Sequence, residues 1–433
     1  MKMKQSIRHF LRGLFLLALP LMLTSCEGTL DDIFGKWSRP VPVSDIAISD
    51  ASLEMEVNNQ AQLSATAYPE NAKYKNITWS SSDPSVVAVD ASGHVTALSK
   101  GRATITASSN GYKATCEVTV GIFLANVTAN KEFTDGDILM GTLASNVKLS
   151  IAPGATITLQ NASINGVDGD YDWAGITCSG DATIILKGTN VVRGFHKFYP
   201  GIFIPKGYTL TIQGDGNLTA TPCDGGGGSA FGAGIGGAFI SYVAGIHISA
   251  EGDCGNIVIK GGNIKAVGGN SAAGIGAAPN HNCGNITISD GNVTAISGSG
   301  AAGIGSAFIS GGSSSYGCGD ITISGGVVKA TGGKNGAGIG SGSGSSDTAL
   351  SFCGNILISG GYVEATGGDR AAGIGTGEYF SQCGTITITS GVTQVIATKG
   401  AGPSFVQSIG NSNVIHVTCG TITIEDPSKV IQQ

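Results

Sequence analysis

CGNIVIKGGNIKAVGGNSAAGIG, residues 254–276, is one copy of a recurring unit; copies begin again at Cys283, Cys318, Cys353, Cys383 and Cys419, at spacings of 29, 35, 35, 30 and 36 residues. The shared part is about 23 residues long, and the length differences fall mainly after the Gly-Ile-Gly. Self-similarity at such a period signals a repeat architecture. Two isoleucine columns run through the copies, Ile257, Ile286, Ile321, Ile356, Ile386 and Ile422, then Ile259, Ile288, Ile323, Ile358, Ile388 and Ile424. Between them stand Val258, Thr287, Thr322, Leu357, Thr387 and Thr423, which face the other way because side chains alternate along a strand.

One apolar face per strand and glycine corners between strands predict three short strands wound around a shared interior. Stacked at about 4.8 Å, such turns make a parallel β-helix, right-handed as parallel crossovers nearly always are. No proline interrupts the repeated strand cores, as a parallel ladder requires. A propeller blade needs four antiparallel strands, and a leucine-rich repeat needs leucine columns; neither pattern is present. Weaker copies extend towards the N-terminus. Ile157/Leu159, Ile184/Leu186 and Leu210/Ile212 read as earlier copies of the Ile-x-Ile strand, and 174–176, 200–202 and 233–235 as copies of Ala-Gly-Ile. The expectation is nine to ten coils over 122–433, with Glu425, Asp426, Pro427 and Lys429 blunting the last sheet edge.

Composition agrees. Of 433 residues 70 are Gly, 12% are charged and 41% are hydrophobic. Low charge argues against disorder, glycine without a three-residue period excludes collagen, and a net charge of −6 leaves no basic footprint for nucleic acid.

At the N-terminus Lys2, Lys4, Arg8 and Arg12 precede an apolar run from Leu14 to Leu23, too short for a mature membrane span and typical of an export signal. It ends Leu23-Thr24-Ser25-Cys26, which resembles a bacterial lipobox. The resemblance implies a lipoprotein signal peptide at 1–25, a lipid on Cys26 that holds the protein to a membrane, a tether over 26–42, and an outer-membrane or cell-surface location.

Residues 43–121 alternate in short runs with turn signals between them, about seven strands and hence a β-sandwich. The stretch ITWSSSDPSVVAVDASGHVTALSKGRATITA (77–107) closely resembles the bacterial immunoglobulin-like group 2 family, whose modules serve as spacers or stalks on surface proteins. The coils, through CGNITIS, GGxVxATGG and AAGIG, resemble Gly-rich β-helices of bacterial surface proteins, including carbohydrate-binding and adhesin-like families. The fold class is thus all-β, a sandwich followed by a β-helix.

Six cysteines share one repeat position. Stacked about 4.8 Å apart they could bridge, but a uniform column offers no preferred pairs, and small buried thiols are the favoured reading. The acids of the regular coils, Asp290, Asp320, Asp347, Glu364, Asp369 and Glu378, fall at different repeat positions, so no catalytic carboxylate pair is expected. The irregular coils are richer. One corner carries Asp168, Asp170, Tyr171, Asp172 and Trp173; the corner one coil on carries Phe195, His196, Lys197, Phe198 and Tyr199. Asp168, Asp170 and Asp172 place oxygens at alternate positions, as a calcium loop begins, although Trp173 stands where an EF-hand has glycine; a solvated acidic turn is the plainer alternative. The rings and charges together suit sugars, which offer flat C–H faces and hydroxyls. The expected function is non-catalytic binding of a polysaccharide or host glycan, with a protein-binding adhesive role and a polysaccharide lyase or hydrolase as alternatives.

Overall fold

Alternating side chains and glycine corners produce strands and short 3₁₀ turns throughout the computed structural model, which describes residues 40–166, 171–223, 230–242, 247–248, 250–311, 314–402, 406–412 and 416–433. Cys26 with the signal and most of the tether lies outside the described residues, as do Asp168 and Asp170.

The N-terminal module is a sandwich. A four-stranded sheet runs in the order Ser52–Met55, Tyr112–Val120, Gly101–Ser109, Thr78–Ser81, and a three-stranded one joins Gln60–Gln62, His94–Ala97 and Val87–Val89. Leu63, Val87, Val95, Ile105, Cys116 and Val118 fill the space between the sheets, with Trp79 half-buried against them.

Val120 leads almost directly into the first β-helix strand, Ile122–Phe123. The joint is hydrogen-bonded: the Glu56 carboxylate accepts from the Phe123 amide at 3.0 Å and from Asn126 Nδ2 at 2.8 Å, and Lys100 Nζ lies 3.1 Å from Asp137 Oδ1.

The β-helix contains a 17-stranded bent sheet that takes two strands from most coils, and a ten-stranded sheet running from Lys131–Phe133 to Ile409–Gly410. Both are parallel between coils and in register, with Ile286 beside Ile321, Ile321 beside Ile356 and Ile356 beside Ile386. Ile323 and Ile358 are fully buried, whereas Thr322 between the columns is only partly covered. Glycine makes the corner between the two strands of the bent sheet: Gly326 and Gly361 sit at φ +78° and +79°, a region closed to most L side chains.

Two expectations need correction. The cysteines do not merely open each coil: in four coils Tyr316–Cys318, Ser351–Cys353, Ser381–Cys383 and Val417–Cys419 add a fourth strand, in a sheet of their own. The register of one early pair also differs. Ile184 lies beside Ile212 and Ala182 beside Leu210, leaving Leu186 opposite Gly214. A two-residue shift keeps every side chain on its face, and the longer alternation of 182–187 tolerates it.

The column thiols are buried as far as Cys383 and unbridged, with Cys318 Sγ 3.7 Å from Cys353 Sγ. Burial pushes the Cys178 thiol up to about 12, and the neighbouring Cys254 adds to the shift.

A second ladder explains why Cys-Gly-Asn or Cys-Gly-Asp recurs. Asn256 Oδ1 accepts from the Asn285 amide at 2.9 Å, Asn285 Oδ1 from Asp320 at 2.9 Å, Asp320 Oδ1 from Asn355 at 2.7 Å and Asn355 Oδ1 from Thr385 at 3.0 Å. A Cβ on the preceding glycine of the next coil would meet these oxygens, at 2.5 Å for Gly284 and 2.6 Å for Gly384. Asp135 and Asp181 play the same part in the irregular coils, accepting from Thr156 at 2.8 Å and Thr209 at 2.7 Å.

Candidate functional site

The strands of the ten-stranded sheet shrink to two residues in most coils, as at Ile235–Gly236 and Ile275–Gly276. The corner before such a strand therefore meets the corner after it, and side chains from both gather on one side of the rod.

The ring-rich corners lie there. The strand Thr189–Arg193 delivers the chain into Gly194 and the 195–199 loop. That loop is pinned from below by the Phe195 amide donating to the Trp173 carbonyl at 3.1 Å, and internally by Tyr199 N–H to the His196 carbonyl at 3.0 Å. From the next coil the Phe231 and Phe239 amides donate to the Lys197 and Phe198 carbonyls, the latter at 2.7 Å.

The expected group divides in two. Tyr171, Trp173 and Phe195 pack as a row of tilted rings, with centroids 5.1 Å apart for the first pair and 6.2 Å for the second. Phe195 is sealed in the main core at 1% exposure, and Tyr171 and Trp173 are half-buried against that core. Trp173 Nε1 is buried without a hydrogen-bond partner among the described residues. Tyr171 accepts through its hydroxyl from Asn146 Nδ2 at 3.2 Å.

His196, Lys197, Phe198 and Tyr199 belong to the second half. His196 meets Phe198 edge-on at 4.8 Å and Tyr199 at 6.2 Å, and Lys197 Nζ sits 5.2 Å from the centre of the Phe198 ring, within cation–π range. Phe198 also packs on Phe231 at 5.9 Å and Phe239 at 5.3 Å, and Phe239 reaches His281 at 6.1 Å. Phe231 and Phe239 are half-buried, and His281 is buried with Nδ1 2.7 Å from the Pro279 carbonyl. Sequence reasoning missed Phe231, Phe239 and His281. A signal existed: Phe231 and Phe239 flank the Ala-Gly-Ile-Gly of their coil, and Tyr199 precedes the corresponding Pro-Gly-Ile of its own.

Asp172 is exposed. Among the described residues no three His, Cys, Asp or Glu side chains group as metal ligands. Five of the six regular-coil carboxylates have local work: Asp290 accepts from the Gly291 amide at 2.7 Å, Asp320 belongs to the ladder, Glu364 pairs with Lys329 at 3.1 Å, Glu378 with Arg370 at 3.0 Å and Asp347 with His416 at 2.6 Å. A cleft of about 560 Å³ at the joint between the modules is lined by Glu54, Arg102, Glu117, Thr119, Gln160 and Lys187 among others. Three of its polar groups pair with one another, Gln160 Nε2 donating to Glu54 Oε1 at 2.9 Å and Arg102 donating to Gln160, and Lys187 pairs with Asp215.

Residues 42–120 match the bacterial Ig-like domain (group 2), and residues 257–278, 286–308, 321–343 and 356–378 each match the β-helix repeat. Curated relatives include an α-L-arabinofuranosidase of Bifidobacterium longum, 43% identical over 82 residues, and a lacto-N-biosidase of Bifidobacterium bifidum, 42% identical over 81 residues. Each match covers 18% of this chain and 8% and 7% of the respective relatives, over the Ig-like part alone. Domains 4 and 5 of the S-layer protein SbsC align over 18% of this chain and 51% of theirs, at 20% identity and a TM-score of 0.17. The domain pairing fits a surface or carbohydrate-related protein. The chain carries a bacterial Ig-like domain of group 2 followed by β-helix repeats.

Proposed function

We propose that this is a lipid-anchored cell-surface protein that binds a polysaccharide or host glycan, without catalysis, through the 195–199 loop and its neighbours. The observation that carries the reading is the convergence of Phe198, Tyr199, Phe231 and Phe239 with His196 and Lys197 on one side of the rod. Rings pinned through backbone hydrogen bonds form a preformed surface for C–H faces, and the His196 ring nitrogens and the Lys197 ammonium can hold hydroxyls or a carboxylate. The regular-coil carboxylates bound to local partners favour binding over hydrolysis. Relatives that are an arabinofuranosidase and a lacto-N-biosidase add support, through the Ig-like part alone.

A glycan array tests this. The protein should give defined signals, and Lys197→Ala combined with Phe198→Ala should lower them about tenfold, the equivalent of about 1.4 kcal/mol. Signals unchanged by the double substitution, or absent for every glycan, overturn the reading.

A further inference from the structure

A second cluster lies on the same side of the rod, farther towards the C-terminus. Arg370, before the strand Ile374–Gly375, reaches over it to Glu378 and Tyr379, with Nη1 3.0 Å from Glu378 Oε1 and 3.2 Å from the Tyr379 hydroxyl. The Glu378 side chain is only 4% exposed whereas Arg370 is 51% exposed, so a buried carboxylate holds an accessible guanidinium in place. Glu378 also holds the Tyr379 hydroxyl above its ordinary pKa.

Beside this pair, the Phe380 and His416 rings stack at 5.3 Å with planes 19° apart. Asp347 Oδ1 lies 2.6 Å from His416 Nδ1. Asp347, Phe380 and His416 thus come from three consecutive coils, and Phe380 follows Tyr379 directly in the chain. Phe380 and His416 hold φ of +43° and +55°, a costly conformation for ring residues, of the sort that collects at functional sites.

The two clusters share more than a face. The Ile202–Phe203 strand, which follows the first cluster's loop, is joined to Ile374–Gly375 through strands at 235, 275, 304 and 339. Five sheet spacings of about 4.8 Å separate them by roughly 24 Å along the axis. Phe308 stands between them, its amide bonded to the Ser271 carbonyl at 3.1 Å.

We infer that Phe380, His416, Asp347, Arg370 and Tyr379 form a second saccharide subsite, and that the ligand is an extended linear polysaccharide lying along the rod and engaging both clusters. The stacked rings take a C–H face; Asp347, Arg370 and Tyr379 take hydroxyls. The inference rests on the glycan-binding reading and adds to it the ligand's length and direction. Two weak subsites joined by one chain gain avidity, on the order of a hundredfold or more when the spacing fits.

Affinity electrophoresis tests it, in native gels containing soluble arabinoxylan, polygalacturonate or hyaluronan, with decasaccharides and disaccharides of the retarding polymer as competitors. His416→Ala and Asp347→Asn alter exposed side chains and leave the fold intact, with thermal melts as the check; Phe380→Ala is the third variant. The expected result is retardation of the native protein, release by the decasaccharide at a concentration at least tenfold below the disaccharide, and at least fivefold weaker retardation of each variant. Retardation unchanged in all three variants, or equal competition by both lengths, overturns the second subsite and leaves the first intact. No retardation in any gel, with no signal on the glycan array, overturns the glycan-binding reading and the subsite with it.

Discussion

Position 323 and its neighbour measure how sharply the strand separates inside from outside. Ile323 is fully buried among isoleucines of the coils on either side, and Thr322 faces outward, partly covered. Ile323→Ala should cost about 2–4 kcal/mol by opening a cavity in a packed interior, and Ile323→Asp far more because it buries an unpaired charge. Thr322→Asp should be mild. Chemical denaturation of the three variants checks this; equal damage from both aspartates would show that the faces are not separated. These columns were legible because isoleucine recurs in register and alternation leaves one reading. The rings were legible only in part. Tyr171 to Tyr199 crowd two segments of the chain, but the burial of Phe195 and the arrival of Phe231 and Phe239 depend on how corners meet across a two-residue strand. Arg370 beside Asp369 reads as a solvated turn in sequence; its bond to Glu378 exists because the same short strand folds one corner back over the other.

At the scale of the element, the Cys-Gly-Asn/Asp corner is the device that locks one coil to the next. Its recurrence was plain in the sequence, but its partner was not, because the bond joins residues about thirty positions apart. Asn285→Ala leaves the Asp320 amide to water in place of its acceptor and should cost about 0.5–1.5 kcal/mol. Asn285→Asp, which keeps the accepting oxygen as Asp320 does naturally, should recover most of that. Thermal melts of the two variants separate them; equal loss would mean the corner needs the amide for some other contact. The cysteine strand was missed for a related reason: its members were visible as a column, but the serines, aromatics and glycines before them carry no common apolar pattern.

For the whole molecule, the anchor and the rod set the arrangement. If Cys26 bears lipid, the Ig-like module lies between membrane and β-helix, and the hydrogen-bonded joint at Glu56 carries its orientation to the coils. Cys26→Ala should move the protein from the membrane fraction to the soluble one; a variant that still sediments with membranes and carries lipid by mass spectrometry would refute the anchor. The Asn/Asp ladder has a mechanical consequence for such a rod. Its bonds, like those of the sheets, run along the axis, so tension applied at the C-terminus loads them one coil at a time instead of shearing many at once. A ligand pulling on the far end would peel coils singly, each releasing 29 to 36 residues and roughly 100–130 Å of slack, so the tip would yield in steps while the coils nearer the cell kept their shape.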